Sequence, residues 1–258
     1  MQSQELKPFI VDSIRGMVAN AGNVTHYREP LVGFASAADP RFRELQRIVE
    51  PTHYLPDEML PGAASVVSFF LPFAGSVVEA NAQERSKVAR EWPVAYLETN
   101  GLIERITAGL IAALAERGVR AAAAPATHNY DPDTLICRWS HKSVAVIAGV
   151  GSFGLHRMVI TDSGCAGRFG SLVLDAGIDF TPPAVKERCL AFYDGSCREC
   201  IDRCPVNALS SDGAIDKQRC NRRLIGLGKS SGLEPLADAC GKCAIGPCSL
   251  GSAVTLII

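Results

Sequence analysis

The chain has 258 residues, 47% of them hydrophobic and 21% charged, with a net charge of −1. That is the composition of an ordinary globular protein, long enough for one large domain plus a small one. The near-neutral charge leaves no electrostatic footprint for nucleic acid, and no apolar run reaches the roughly 18–20 residues of a membrane helix.

Taken in chain order, apolar positions at Leu6, Phe9, Ile10, Ile14, Met17 and Val18 repeat with a helical period and predict a helix over residues 4–20, ending near Gly22. "LVGFASA" predicts a strand and "PRFRELQRIVE" a helix, and the continuous apolar run "SVVSFFLPFA" predicts a buried strand. A long helix is expected over "GLIERITAGLIAALAERG", entered after Asn100 and closed by Gly118. "VRAAAAPA" predicts a strand, and "SHKSVAVIAG" suits either a helix or a strand. "MVIT" and "GSLVLDA" read as two strands joined by the turn "DSGCAGRFG". Helices and strands interleave, so the fold class expected is α+β, with a layered α/β domain first. The start, MQSQELKPF, shows no basic stretch followed by an apolar one, so no signal peptide is expected and a cytoplasmic location is.

Cysteine placement divides the chain. Cys137 and Cys165 stand alone and read as small buried apolar residues. The other eight, at 189, 197, 200, 204, 220, 240, 243 and 248, fall in the last quarter, which places a boundary near Pro182-Pro183: residues 1–182 form one domain and 183–258 a second. In a reducing compartment such thiols point to metal, not to disulfides. The first group is Cys197-x2-Cys200-x3-Cys204-Pro205, the second Cys240-x2-Cys243-x4-Cys248, with Cys220 between. In two-cluster ferredoxins the cysteine before proline ligates the other cluster. Two 4Fe–4S clusters are therefore expected: Cys189, Cys197, Cys200 and Cys248 would hold one, and Cys220, Cys240, Cys243 and Cys204 the other. Asp194 is an alternative ligand to Cys189, and structural zinc is the alternative metal. From Lys186 to Cys248 there are ten Lys/Arg against eight Asp/Glu, a cation surplus suited to anionic clusters; "RCNRR" (Arg219, Arg222, Arg223) offsets cluster charge or lies in solvent.

"GVGSFG", Gly149 to Gly154, matches G-x-G-x-x-G, and Asp175 lies where a ribose-binding acid would be. The next stretch, "LHRMVITDSGCAGRFG", carries strand and turn chemistry with no helix to face a pyrophosphate, so the reading is a glycine loop approaching a large cofactor.

The stretches "CLAFYDGSCRECIDRCPVNAL", "IDKQRC" and "CGKCAIGPC", with "AGVGSFGLHRMVI" and "GRFGSLVLDAGI" before them, resemble the epoxyqueuosine reductase-like family. The resemblance implies a nitroreductase-like cobalamin-binding domain fed by a small C-terminal ferredoxin-like double-cluster domain, as in reductive dehalogenases. It implies cobalamin near Gly149, Gly151, Gly154 and the 168–172 hairpin, where Arg168 and Ser171 lie, with His156 beside the loop. The place of the relatives' general-acid aspartate holds Leu135 in this chain, and that of their glycine-loop lysine holds Leu155. His128, Tyr130, Asp131 and His141 remain as candidate proton donors, with no catalytic residue assigned.

The expected function is a reductive reaction in which two clusters relay electrons from a low-potential donor to a bound corrinoid. The substrate would be a small molecule or a protein-bound corrinoid. The rivals are a non-catalytic electron carrier, or activator of another corrinoid protein, and a zinc-stapled binding module. With the net charge at −1 and the acid's place changed, tRNA is not expected as a partner, and neither is a membrane.

Overall fold

The computed structural model describes residues 3–180 and 186–254. The expected boundary at Pro182-Pro183 lies outside the described residues.

The chain runs α1 (Ser3–Ala19), β1 (Leu31–Ser36), α2 (Arg41–Ile48), α3 (Pro56–Met59), β2 (Ser65–Pro72), α4 (Gly75–Ala82), α5 (Glu91–Ala115), β3 (Ala121–Ala122), α6 (His141–Ile147), β4 (Gly151–Phe153), β5 (Val159–Thr161) and β6 (Gly167–Leu174). Then come α7 (Leu190–Tyr193), α8 (Glu199–Asp202), α9 (Lys217–Ser231) and a 3-10 turn at Lys242–Ala244. This is a mixed α/β fold. Its sheet has the order β1-β2-β6-β3, every pairing antiparallel.

Every residue of β2 is buried, which explains its unbroken apolar sequence. Its side chains alternate between two cores, as the strand period requires. Val67, Phe69 and Leu71 pack with Leu6, Ile10 and Ile14 of α1 and with Leu102, Ile103 and Ile106 of α5. Val66 and Phe70 face the other way, against Phe42 and Leu45 of α2, Val144 and Ile147 of α6, and Trp139. Helices therefore cover both faces of the sheet.

Three local expectations are corrected. Helix α5 begins at Glu91, ten residues before the expected start, because Trp92, Ala95, Tyr96 and Thr99 are buried and Pro93 falls in its first turn, where no N–H partner is lost. The expected strand "VRAAAAPA" shrinks to Ala121–Ala122. "MVIT" and "GSLVLDA" do not pair with each other: β5 pairs with β4 in a separate two-stranded ribbon, and β6 lies between β2 and β3 in the main sheet. The ambiguous "SHKSVAVIAG" is a helix, begun by Ser140, whose hydroxyl accepts the Ser143 N–H at 3.2 Å.

The cysteine-rich segment rests on the end of this sandwich through backbone and side-chain bonds. Cys165 N–H donates to the Cys248 carbonyl at 2.9 Å and Ala166 N–H to that of Ser249 at 3.1 Å. Asn81 donates to the Cys240 carbonyl at 3.0 Å. The buried Lys242 ammonium is held by Asn81 Oδ1 at 3.0 Å and the Glu84 carbonyl at 2.8 Å. A third apolar cluster fills the junction: Phe73, Trp92, Tyr96, Leu155 and Ile160 with Cys165, Cys189, Cys200 and Cys204.

Candidate functional site

The eight grouped thiols line two adjoining cavities. Cys189, Cys197, Cys200 and Cys248 line one small cavity, which Cys243 also borders. Cys204, Cys220, Cys240 and Cys243 line a second, larger one. Chain order alone does not produce this: Cys204 leaves its neighbours for the far group, and Cys248 returns to the near one. Asp194 lines neither cavity; its carboxylate accepts the Ser196 N–H at 2.9 Å and closes its own turn.

Burial pushes the Cys200 thiol up to about 12, with Cys248, Cys189 and Cys197 adding to it. Burial likewise pushes Cys243 up to about 12, helped by Cys240, Cys220, Cys200 and Cys204. Buried thiols that oppose each other's ionisation become thiolates when cations enter among them. A single zinc ion would draw its four sulfurs to about 3.8 Å apart, given Zn–S bonds near 2.3 Å. Among the described residues, the group of three or more metal-ligand side chains lying within 4.8 Å of one another is His156, Cys165 and Cys248. No three of the eight grouped thiols meet that spacing.

N–H groups already point at the sulfurs. Ala208 N–H donates to Cys204 Sγ at 3.2 Å, and Arg223 Nε–H to Cys240 Sγ at 3.2 Å. His156 Nδ1 accepts the Met158 N–H at 3.0 Å, so its proton sits on Nε2, 3.3 Å from Cys248 Sγ. Cys248 is held down to about 5 by the thiol of Cys165, 3.8 Å away, and by His156.

The larger cavity, about 330 Å³, lies where the cysteine-rich segment meets the sandwich. Besides those four thiols and that of Cys165 it is walled by Phe73, Trp92, Tyr96, Met158 and Arg168, with Asp238 and Lys142. Sequence reasoning misses Asp238 and Tyr96. The Tyr96 hydroxyl donates to Asp238 Oδ1 at 2.6 Å, and His128 Nε2 lies 3.6 Å from the same oxygen. A tyrosine ahead of the expected start of α5, and an acid two residues before a cysteine, carry no pattern that sequence reading detects.

Of the residues expected at the cofactor, His156 and Arg168 line this cavity and the three glycines do not. Gly149 ends α6 in the left-handed conformation, with φ 74. A Cβ on Gly151 would strike the Ile160 carbonyl across the ribbon, and one on Gly154 the Ile160 side chain. These glycines serve strand packing, and the helix start a dinucleotide needs is absent, since β4 occupies Gly151–Phe153. Ser171 is buried beneath the sheet surface, accepting Trp139 Nε1–H at 2.9 Å and bonding His141 Nδ1 at 2.8 Å. Leu155 borders the small cavity, and Asp175 is paired with Arg120 at 2.8 Å.

The candidate proton donors separate clearly. Asp131 is tied into its own loop by the N–H groups of Asp133 and Thr134. Tyr130 bridges Cys137, and its phenol is pushed up by burial and then by Asp238. His141 Nε2–H donates to the Pro125 carbonyl at 2.9 Å, and burial pulls its pKa down to about 4. It is therefore neutral at pH 7 and no general acid. The unfolded chain, with histidine near 6.5, takes up this proton first as pH falls. The stability due to neutral His141 is complete above about pH 6.5 and is lost towards pH 4. NMR of the ring protons should show no titration of His141 between pH 6 and 8; a midpoint near 6.5 contradicts this burial.

No protein-family model matches the chain. A curated epoxyqueuosine reductase from Bacillus cereus is 26% identical over 211 residues, 73% of this chain and 51% of that protein. A crystal structure of epoxyqueuosine reductase with an epoxyqueuosine-modified tRNA-Tyr stem loop matches 96% of this chain and 66% of its own, with TM-score 0.61 and 20% identity. The chain is similar to epoxyqueuosine reductases in sequence and in fold. A reductive dehalogenase structure, described as suggesting a mechanism for B12-dependent dehalogenation, matches 94% of this chain and 32% of its own, with TM-score 0.59 and 16% identity. The chain spans about half the length of the curated relative.

The expectation about tRNA is overturned. Net charge argues against such a partner, yet an epoxyqueuosine reductase of this fold is solved with a tRNA stem loop. Net charge sums a whole surface, whereas binding needs only a local cationic patch. No helix among the described residues is long and apolar enough to cross a membrane.

Proposed function

We propose that the chain is an iron–sulfur oxidoreductase in which two 4Fe–4S clusters pass single electrons to the cavity for a reductive reaction. Residues 1–182 form a nitroreductase-like layered domain and 183–258 a ferredoxin-like one. What supports this is that the eight thiols line two adjoining cavities, Cys204 beside the distant Cys220, Cys240 and Cys243, and Cys248 beside Cys189, Cys197 and Cys200. Cys189, Cys197, Cys200 and Cys248 would hold the first cluster, and Cys220, Cys240, Cys243 and Cys204 the second. The N–H groups of Ala208, Arg223 and His156 stabilise the thiolate form at three of the ligands. A low-potential donor supplies the electrons, in a reducing cytoplasm that keeps the thiols free.

A corrinoid is the acceptor that the relatives support, through the dehalogenase described as B12-dependent. A cavity of about 330 Å³ does not enclose such a macrocycle, so this chain alone would cover it only in part. The residues that would meet it are Met158, His156 and Tyr96. When bound, it would supply a cobalt centre able to take electrons singly. Holoprotein titrated anaerobically with cob(II)alamin should shift the corrinoid spectrum at unchanged iron content. A response to FMN or NADH, with none to any corrinoid, would overturn this acceptor. A substrate carried on RNA is a second reading, favoured by the neighbour solved with a tRNA stem loop.

A further inference from the structure

The cations around the cavity are not equivalent. Arg223 donates to Cys240 Sγ. Lys242 is held by Asn81 and Glu84. Lys142 donates to the Arg157 carbonyl at 3.0 Å and lies in the field of Cys137 and Cys243. Arg157 donates to the Gly213 carbonyl at 2.5 Å. Each of these has a partner in the protein.

Arg168 has none among the described residues. It stands on β6 opposite Leu71, its backbone fixed by the sheet. Its guanidinium lies over the Tyr96 ring, 4.4 Å from the centroid. Its Nε is buried without a hydrogen-bond partner. The charges that act on it are Tyr96 and Asp238, not a cluster thiol. Asp238 acts on it only at a distance, no ion pair with Arg168 lying within 4 Å among the described residues, and its Oδ1 accepts from Tyr96 and is faced by His128. A buried cation with unmet N–H groups is costly unless an anion completes it. Stacking on Tyr96 occupies one face of the guanidinium, and since Arg168 lines the cavity an oxyanion there would meet its remaining N–H groups. Phe73, Trp92 and Met158 provide apolar walls beside it.

We propose that Arg168 is the anchor for a small organic anion, one with a carboxylate or phosphate head on a flat apolar body, which is the substrate class of the cavity. This rests on the reductive reading of the cavity given above. It implies a division of labour: Arg223 and Lys142 answer the charge of the second cluster, and Arg168 answers that of the substrate.

The test is calorimetric titration of anaerobically reconstituted holoprotein with benzoate, phenyl phosphate and neutral benzamide. One or both anions should bind at least about tenfold more tightly than benzamide, since hydrogen bonds to charged groups are the strong ones. Benzoate or phenyl phosphate as the tighter ligand identifies the head group. Arg168→Gln should erase the preference, and Arg168→Lys should keep part of it. Equal binding of benzoate and benzamide by the wild type, or no binding of either anion, would sink the proposal without needing any variant. So would an Arg168→Gln protein that keeps the preference, or one that loses cob(II)alamin affinity while holding the anions as before. Iron content is read in the same samples. A full complement without anion preference ends this inference alone, whereas absence of iron ends the reading on which it rests.

Discussion

Cys204→Ala should leave about four of eight irons in the reconstituted protein, and the cluster lost should be the one bordered by Cys220, Cys240 and Cys243. Cys204 stands four residues from Cys200 in sequence, yet it lines the larger cavity with the distant thiols. Its Sγ already accepts the Ala208 N–H at 3.2 Å, a bond that favours the thiolate. Cys248→Ala should do the converse and remove the cluster at Cys189, Cys197 and Cys200. EPR of the reduced variants separates the two outcomes, because each should retain one of the two wild-type signals. If Cys204→Ala instead removes the signal that Cys200→Ala removes, the ligation is not crossed.

Gly241→Ala should destabilise the protein by about 3 kcal/mol or more, and should strip iron from the second cluster. Gly241 has φ 69, the left-handed region that glycine favours. A Cβ there would overlap the Trp92 ring, a rigid neighbour buried in α5. Relief requires the backbone between Cys240 and Cys243 to move, and with it two ligands. Gly195 offers the control: its φ is 76, but a Cβ there meets nothing within 4 Å. Gly195→Ala should therefore cost only the backbone strain of roughly 1 kcal/mol and keep all its iron. Thermal unfolding with iron analysis checks both; equal losses at the two sites would mean that the contact with Trp92 does not matter.

Local features are the ones legible in the sequence. The apolar run at β2 announces its burial on both faces, and the cysteine spacing announces metal. Proline after Cys204, which turns the chain away, is the local signal behind the proposed exchange of Cys204 and Cys248. Long-range geometry is not readable. The glycines of "GVGSFG" match a fingerprint, but their neighbour is Ile160 on the paired strand, and no sequence window shows that pairing. The first turns of α5 look like a loop because Pro93, Asn100 and Gly101 suggest breaks; burial of Trp92 and Tyr96 against the cysteine segment outweighs those weak propensities. Likewise, His141 reads as a free imidazole until Ser171 and Pro125 are seen to occupy both of its nitrogens. The unpaired state of Arg168 is visible only when every neighbour has been placed.

Iron and acid-labile sulfide analysis of anaerobically purified protein, with zinc measured in the same sample, tests the central claim most directly. The two sets of thiols predict about eight iron and eight sulfide per chain and a brown protein. Stoichiometric zinc with negligible iron would contradict it.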